Sequence, residues 1–395
     1  MRIGIDATCW SNHRGFGRFV RELLQAIARL ETDDTYVLFA DRQTAKAVEF
    51  PSGWQVVVGD TAEAPAQAAA ADSRRSLRDL WVMRRLVQRE SLDLFFFPAV
   101  YSYFPMGGQV PCLVTFHDVI AETLPHLVFQ TRRSRMFWQL KCRLAVRRAV
   151  RVVTVSEASK QGLMRIFGLG EGCIRVVPEA ASATFGPVDC HSEAHWAALR
   201  RHGVQPGERY VLYVGGISPH KNLDTLIEGF VQIVRSPGYQ DVCLLLVGDY
   251  RRDVFRTCYE ELRQRTAHLA IDKRVHFTGF VVDEDLVHLY AAAQALVLPS
   301  YLEGFGLPAV EAMACGAAVV ASNCGALPEV LHGAGHLFDP HNIATLVDGL
   351  RRVLADAPYR AALQAGSLAR ARAFSWEQSA RRAVDIFHEN SLEAD

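Results

Sequence analysis

The sequence predicts an α/β protein made of two doubly wound parallel-sheet domains. Short β-branched and aromatic runs alternate with longer amphipathic stretches, the pattern of parallel strands joined by helical crossovers. The alternation occurs twice, and residues 180–207, a mix of small residues, prolines and polar side chains without periodicity, separate the two series. The chain has 395 residues, and single cores stop growing near about 250–300 residues, so two domains are expected.

In the first series, strands are predicted at 2–7, 36–40, 55–59, 92–98, 112–117, 151–156 and 174–178. Gly15-Phe16-Gly17 follows the first strand and leads into a helix through Ala28, while the Ala-rich residues 62–71 read as an exposed connection. Two basic amphipathic stretches, 74–89 and 132–151, serve as crossovers; the second holds Arg132, Arg133, Arg135, Lys141, Arg143, Arg147, Arg148 and Arg151 without an acidic residue. They read equally well as solvated helix faces and as surfaces for an anionic leaflet.

The second series predicts strands at 210–215, 242–248, 275–279, 295–299, 318–322 and 336–339. Asn222 stands where it would cap a helix over 223–234. Asp283-Glu284-Asp285 opens a helix over 286–293, where acidic side chains answer the helix dipole, and that reading is preferred to a metal site. Pro308 and Gly316 bracket another helix as its opening and its stop. Residues 375–390 form an amphipathic helix able to cross back onto the first domain. The domains are therefore set at 1–190 with 376–395, and at 191–375. Facing one another, they would leave a cleft at the carboxyl ends of both sheets, where ligands of such folds bind.

Composition narrows the function. Half the residues are hydrophobic, 22% are charged, and 43 basic side chains balance 43 acidic ones, which excludes a disordered chain and offers no reason to expect a nucleic-acid partner. No 18-residue apolar run occurs, and MRIGIDATCW lacks a signal-peptide core, so a soluble cytoplasmic protein is expected, with peripheral membrane contact through the basic helices open. Nine cysteines without a C-x-x-C pair read as small buried hydrophobes in a reducing compartment. H-E-x-x-H, G-x-S-x-G and the Walker loop are absent; neither a metal nor a cofactor is expected.

Four strand-end loops carry the chemistry. In Pro299 to Gly316 a two-glycine loop, Gly304-Phe305-Gly306-Leu307, delivers backbone N–H groups to a helix start, a site for phosphate or sugar hydroxyls. Glu303 precedes the loop and Glu311 is read in the first helical turn; their carboxylates suit hydroxyl donors, or Glu311 answers the dipole alone. In Gly215-Gly216-Ile217-Ser218-Pro219-His220-Lys221-Asn222, one of only five lysines precedes a helix cap. A cation there is unfavourable unless an anion joins it, so Lys221 reads as a phosphate ligand. Gly15 and Gly17 lack the third glycine of a dinucleotide fingerprint. His117 ends a strand, free either to face a ligand or to bind a neighbouring carbonyl.

In this order the four loops resemble family 4 of the retaining glycosyltransferases, and the Glu303 to Glu311 spacing matches that family's E-x7-E signature. Val155-Ser156-Glu157-Ala158-Ser159-Lys160, Arg175-Val176-Val177-Pro178, Phe277-Thr278-Gly279-Phe280 and Phe374-Ser375-Trp376 extend the resemblance over nearly the whole chain. It implies a GT-B fold, two Rossmann-like domains across a cleft with the last helix crossing back. It also implies metal-independent transfer of a hexose from a UDP- or GDP-sugar to a hydroxyl of a glycan, glycolipid or small molecule, with retention of configuration.

By the resemblance, His117, Lys221 and Glu303 are the catalytic residues. Lys221 would bind the diphosphate. Glu303 with the Gly304, Phe305, Gly306 and Leu307 amides would hold the sugar and phosphate, and Glu311 the ribose. His117 would face the transferred sugar, Gly15 and Gly17 would approach the phosphate, and backbone near Val281 would meet the base. Many members carry an arginine where this chain has Gly216, so either His220 or helix N-terminal amides replace its charge or the diphosphate is held less strongly. The wording Pro219-x-Lys221-Asn222 is similar to a branch of mannosyltransferases and other surface-polysaccharide enzymes. A GT-B epimerase or phosphorylase, and a non-catalytic nucleotide-sugar binder, are the alternatives.

Overall fold

The computed structural model describes residues 1–12, 14–61, 76–205, 207–250 and 257–389, so the connection 62–71, Arg74 and Arg75 lie outside the described residues. The chain divides into two compact units, Met1–Glu179 with Trp376–Asp395, and Ala180–Ser375.

The first unit is a seven-stranded parallel sheet: β1 (Arg2–Asp6), β2 (Thr35–Asp41), β3 (Gln55–Gly59), β4 (Leu94–Phe97), β5 (Cys112–Phe116), β6 (Ala149–Thr154) and β7 (Ile174–Val176). Their order is β3-β2-β1-β4-β5-β6-β7, so the winding reverses between β1 and β4. All seven predicted strands are present, with small shifts at their ends. Because helices cover both faces of a parallel sheet, a central strand is apolar throughout; β4 reads Leu-Phe-Phe-Phe and is buried along its length.

The last helix, Trp376–Glu389, belongs to this unit. Phe387 packs on Phe96 with ring centroids 5.2 Å apart, Trp376 meets Phe19 at 5.9 Å, and the Ser379 hydroxyl donates to the Pro178 carbonyl at 2.7 Å. Phe387→Ala is expected to cost about 3–5 kcal/mol of stability, as for other phenylalanines removed from cores. A lower urea midpoint for the transition that loses the first unit checks it.

The second unit is a six-stranded parallel sheet: β8 (Arg209–Val214), β9 (Val242–Val247), β10 (Val275–Gly279), β11 (Ala295–Leu298), β12 (Val319–Ser322) and β13 (His336–Phe338). Its order is β10-β9-β8-β11-β12-β13, with the reversal between β8 and β11. The unit begins at Ala180 rather than at the expected 191. Aromatic packing accounts for the difference, since the Phe185 ring meets Tyr290 edge-on at 5.8 Å inside the second unit.

Two local expectations change. The acidic run lies in the first turn of the helix Asp283–Ala292, but Asp285 is buried and accepts from Arg201 at 2.6 Å and His202 at 2.9 Å, so it also ties down the end of the helix Glu193–Arg201. The nine cysteines are all free; Cys173 and Cys190 are exposed on turns, while Cys9, Cys112, Cys142, Cys243 and Cys315 are the buried ones.

Candidate active site

Ligand sites in doubly wound sheets form where the strand order reverses, because the loops leaving the two central strands diverge there. In the second unit those loops follow β8 and β11, and they carry Lys221 and Glu303. The structure joins the two: Lys221 Nζ donates to both Glu303 oxygens, at 2.7 and 2.9 Å. The Ser300 hydroxyl adds a third donor at 2.6 Å. Both side chains are largely shielded, 18% and 11% exposed, so the pair is stronger than a surface ion pair.

The backbone builds this contact. Tyr301 N–H donates to the His220 carbonyl at 3.0 Å, linking the two loops directly. Asn222 adopts the left-handed conformation (φ 57°) and makes no side-chain cap, because a capping side chain needs the extended backbone that reaches the first-turn amides. Its amide donates instead to the Pro299 and Pro340 carbonyls at 3.0 and 3.2 Å, pinning the β8 loop to the ends of β11 and β13. His220 precedes Lys221 in the short turn Pro219–Lys221. The Gly216 carbonyl, where the arginine is missing, accepts the Tyr213 hydroxyl at 2.8 Å.

The two-glycine loop leads into the helix Leu307–Ala314, whose N-cap is Gly306 at φ 94°, a conformation that favours glycine. Pro308 lies in the first turn; Gly316 closes the helix at φ 76°, with its N–H on the Met313 carbonyl and that of Ala317 on the Ala312 carbonyl. Gly304 and Leu307 are buried, and Phe305 packs edge-on against Phe374 at 5.6 Å, so the amides at the helix start stand on a fixed base. Glu311 falls in the second turn and not the first, so it does not answer the dipole. It is 3% exposed and accepts the Tyr290 hydroxyl at 2.9 Å; burial, with its charge adding, pushes the Cys315 thiol up to about 12. Val281 is buried just after β10, between exposed Phe280 and Val282.

In the first unit, Gly15 and Gly17 open the helix Gly15–Ile27. Gly15 has open space around its Cβ position, whereas a Cβ on Gly17 would lie 2.1 Å from the Asn12 carbonyl oxygen, so packing inside the unit already requires that glycine. His117, at the end of β5, is buried; its Nε2 is 3.0 Å from the Pro98 carbonyl and its Nδ1 3.4 Å from Glu179 Oε1. Of the two readings of His117, the structure shows the ring bound to a neighbouring carbonyl at a strand end.

Glu179, Ser300 and Tyr290 are the contributors that sequence reasoning missed. Glu179 and Ser300 each stand just past a strand end, the one signal available for them. Among the described residues no group of three or more His, Cys, Asp or Glu side chains is arranged to hold a metal ion.

The basic helix Arg132–Arg148 buries Trp138, Cys142 and Ala145. The opposite face exposes Met136, Phe137, Leu140 and Leu144, the first three more than half exposed, with Arg132, Arg133, Arg143 and Arg147 beside them. On the helix Leu77–Arg89, Trp81 is half exposed beneath the Arg85 guanidinium, 3.6 Å from the ring centroid. Among the described residues no helix is long and apolar enough to cross a membrane.

Two Rossmann-like domains, with a shielded lysine–carboxylate pair and a glycine-started helix at the switch point of the second, define a nucleotide-sugar glycosyltransferase of the GT-B type. Residues 13–182 match the family described as Glycosyltransferase Family 4, and residues 195–368 the domain described as Glycosyl transferases group 1. The O-antigen chain mannosyltransferase B of Escherichia coli is 30% identical over 275 residues, 70% of this chain and 69% of that protein. The serotype-specific mannosyltransferase WbdA of Escherichia coli is 27% identical over 240 residues, 61% of this chain but 29% of its own length. In fold, the chain is similar to sucrose-phosphate synthase from Thermosynechococcus elongatus, with a TM-score of 0.76 over all of both chains at 22% identity. The chain belongs to the family 4 glycosyltransferases, and it is an enzyme of glycosyl transfer.

Proposed function

We propose that the chain transfers a mannosyl residue from a nucleoside diphosphate sugar to a hydroxyl of a surface polysaccharide or its lipid-linked precursor, with retention and without a metal. The Lys221–Glu303 pair carries this reading, and the two mannosyltransferases among its relatives support the choice of sugar. A diphosphate competes with Glu303 for the Lys221 ammonium, and the helix Leu307–Ala314 turns the positive end of its dipole toward it. Glu303, steadied by Ser300, then accepts from the sugar hydroxyls, and Glu311 from the ribose. His220 neighbours the phosphates in place of the missing arginine, and backbone at Val281 meets the base.

As the sugar–phosphate bond breaks, Lys221 and the helix amides stabilise charge on the leaving diphosphate, the role a metal has in other enzymes. The acceptor oxygen bonds to the anomeric carbon on the face the phosphate is leaving, and a phosphate oxygen takes its proton. Incubating the protein with UDP- and GDP-hexoses and a mannose-terminated acceptor, with and without EDTA, tests the reading. A retained-configuration mannoside formed equally in both samples is expected; donor consumed without acceptor product would contradict it.

The acceptor's lipid carrier gives the exposed face of Arg132–Arg148 a purpose, with Leu77–Arg89 as a second contact and the cytoplasmic leaflet as its site. Apolar side chains flanked by arginines favour an anionic surface. Sedimentation with phosphatidylglycerol-containing vesicles, but not with phosphatidylcholine alone, is expected. The double variant Phe137→Ser, Leu140→Ser is expected to lose most of that binding, and equal binding by parent and variant would contradict the assignment.

A further inference from the structure

The second unit carries a cavity of about 410 Å³ on the edge of its sheet. Val275, His276, Phe277 and Thr278, four consecutive residues of β10, all line it. Successive side chains of a strand point to opposite faces, so four in a row line one cavity only where it follows the edge of the strand. Among the described residues β10 is the end strand of the sheet, with β9 on its one side, and such an edge turns N–H and C=O groups outward. The cavity is set apart from the Lys221–Glu303 pair, because β10 lies two strands from β8, roughly 10 Å across the sheet.

The side chains around that edge mix charges and rings. Arg263 comes from the helix Tyr259–His268 and Asp272 from the turn Asp272–Arg274. A Cβ on Gly203 would stand 3.9 Å from His276 Nδ1, which places that ring beside the end of the helix Glu193–Arg201. Tyr259 stacks on Tyr250 at 3.8 Å with the planes 7° apart, and crosses Phe277 at 5.1 Å and 89°, so the aromatic part of the wall is fixed. A guanidinium, a carboxylate, an imidazole and edge amides and carbonyls offer donors and acceptors side by side, and a sugar hydroxyl is both. Fixed rings suit the apolar C–H face of a sugar. An anion fits less well, because Asp272 repels it and Arg201, also on the wall, is paired with Asp285 at 2.6 Å.

We propose that this cavity is a saccharide-binding subsite, which holds a sugar several residues back from the reacting end of the acceptor glycan. The inference rests on the reading of the acceptor as a polysaccharide. The volume lies within the range of about 300–1,000 Å³ common to small-ligand pockets. A chain anchored there keeps its free end at high local concentration near the donor, so long acceptors gain from the subsite and short ones, which cannot span the two places, do not.

The test uses the full chain labelled with 15N-histidine, with the His276 signals assigned from their loss in His276→Ala. A linear mannose hexasaccharide is expected to shift those signals, and Arg263→Ala, a change at an exposed position, to weaken its binding about tenfold. No shift with the hexasaccharide, or a shift with inorganic phosphate alone, overturns the proposal. In transfer assays, Arg263→Ala and His276→Ala are each expected to raise the KM for the hexasaccharide about tenfold, while kcat and the KM for a mannose disaccharide stay within about twofold. Equal effects on both acceptors, or an effect on neither, overturn it. The titration needs no donor and no turnover. Saccharide bound at His276 by a chain that transfers nothing would remove the transferase reading and leave the subsite, whereas transfer without a His276 response would remove the subsite alone.

Discussion

Lys221→Ala is expected to lower kcat/KM by about 10²–10³, the loss seen when a single preorganised donor to developing negative charge is removed from other active sites. The ammonium is held within 2.9 Å of both Glu303 oxygens and is 18% exposed, so no neighbouring water can take its place at the same strength. The partner variant separates binding from chemistry. Glu303→Gln frees Lys221 from its competitor, so a nucleoside diphosphate alone should bind severalfold more tightly while sugar transfer falls by about 10² or more. Calorimetry and initial rates on the two variants check the pattern; weaker diphosphate binding by Glu303→Gln would contradict it.

Gly325→Ala is expected to abolish most activity although Gly325 performs no chemistry. Its φ is +61°, and a Cβ there would lie 2.4 Å from the backbone oxygen of Glu303 and 2.7 Å from its nitrogen. Those are backbone atoms, so no side chain can swing away, and the loop carrying Glu303 has to move. A shift of about 1 Å in a positioned group costs on the order of 10²-fold in rate. The left-handed backbone adds about 1–2 kcal/mol of strain. The expected signature is a large fall in kcat/KM with a modest fall in thermal stability, and parental kinetics would show that the loop position is immaterial.

The central strands were legible because parallel strands buried on both faces carry continuous apolar runs, as β4 and β9 do. Lys221 was legible through its rarity and its place beside a helix start, Glu303 and Glu311 through their spacing around a two-glycine loop. What they touch was not. Lys221 and Glu303 are 82 residues apart, and their meeting depends on β8 lying next to β11, a property of strand order with no local signature. Asn222 occupies the expected cap position, but its left-handed backbone turns the amide toward Pro299 and Pro340. Glu311 falls in the second turn because the helix begins at Leu307, four residues before it. Glu179 directly follows Arg175-Val176-Val177-Pro178, and its approach to His117 depends on β7 lying two strands from β5.

The central claim is that Lys221, paired with Glu303 at rest, grips the diphosphate of the donor. Titrating UDP, GDP and the corresponding nucleosides into the parent and into Lys221→Ala tests it most directly. One nucleoside diphosphate is expected to bind the parent and to bind Lys221→Ala at least about tenfold more weakly, a loss near 1.4 kcal/mol, while its nucleoside binds both alike. Equal affinity of that diphosphate for parent and variant would contradict the claim.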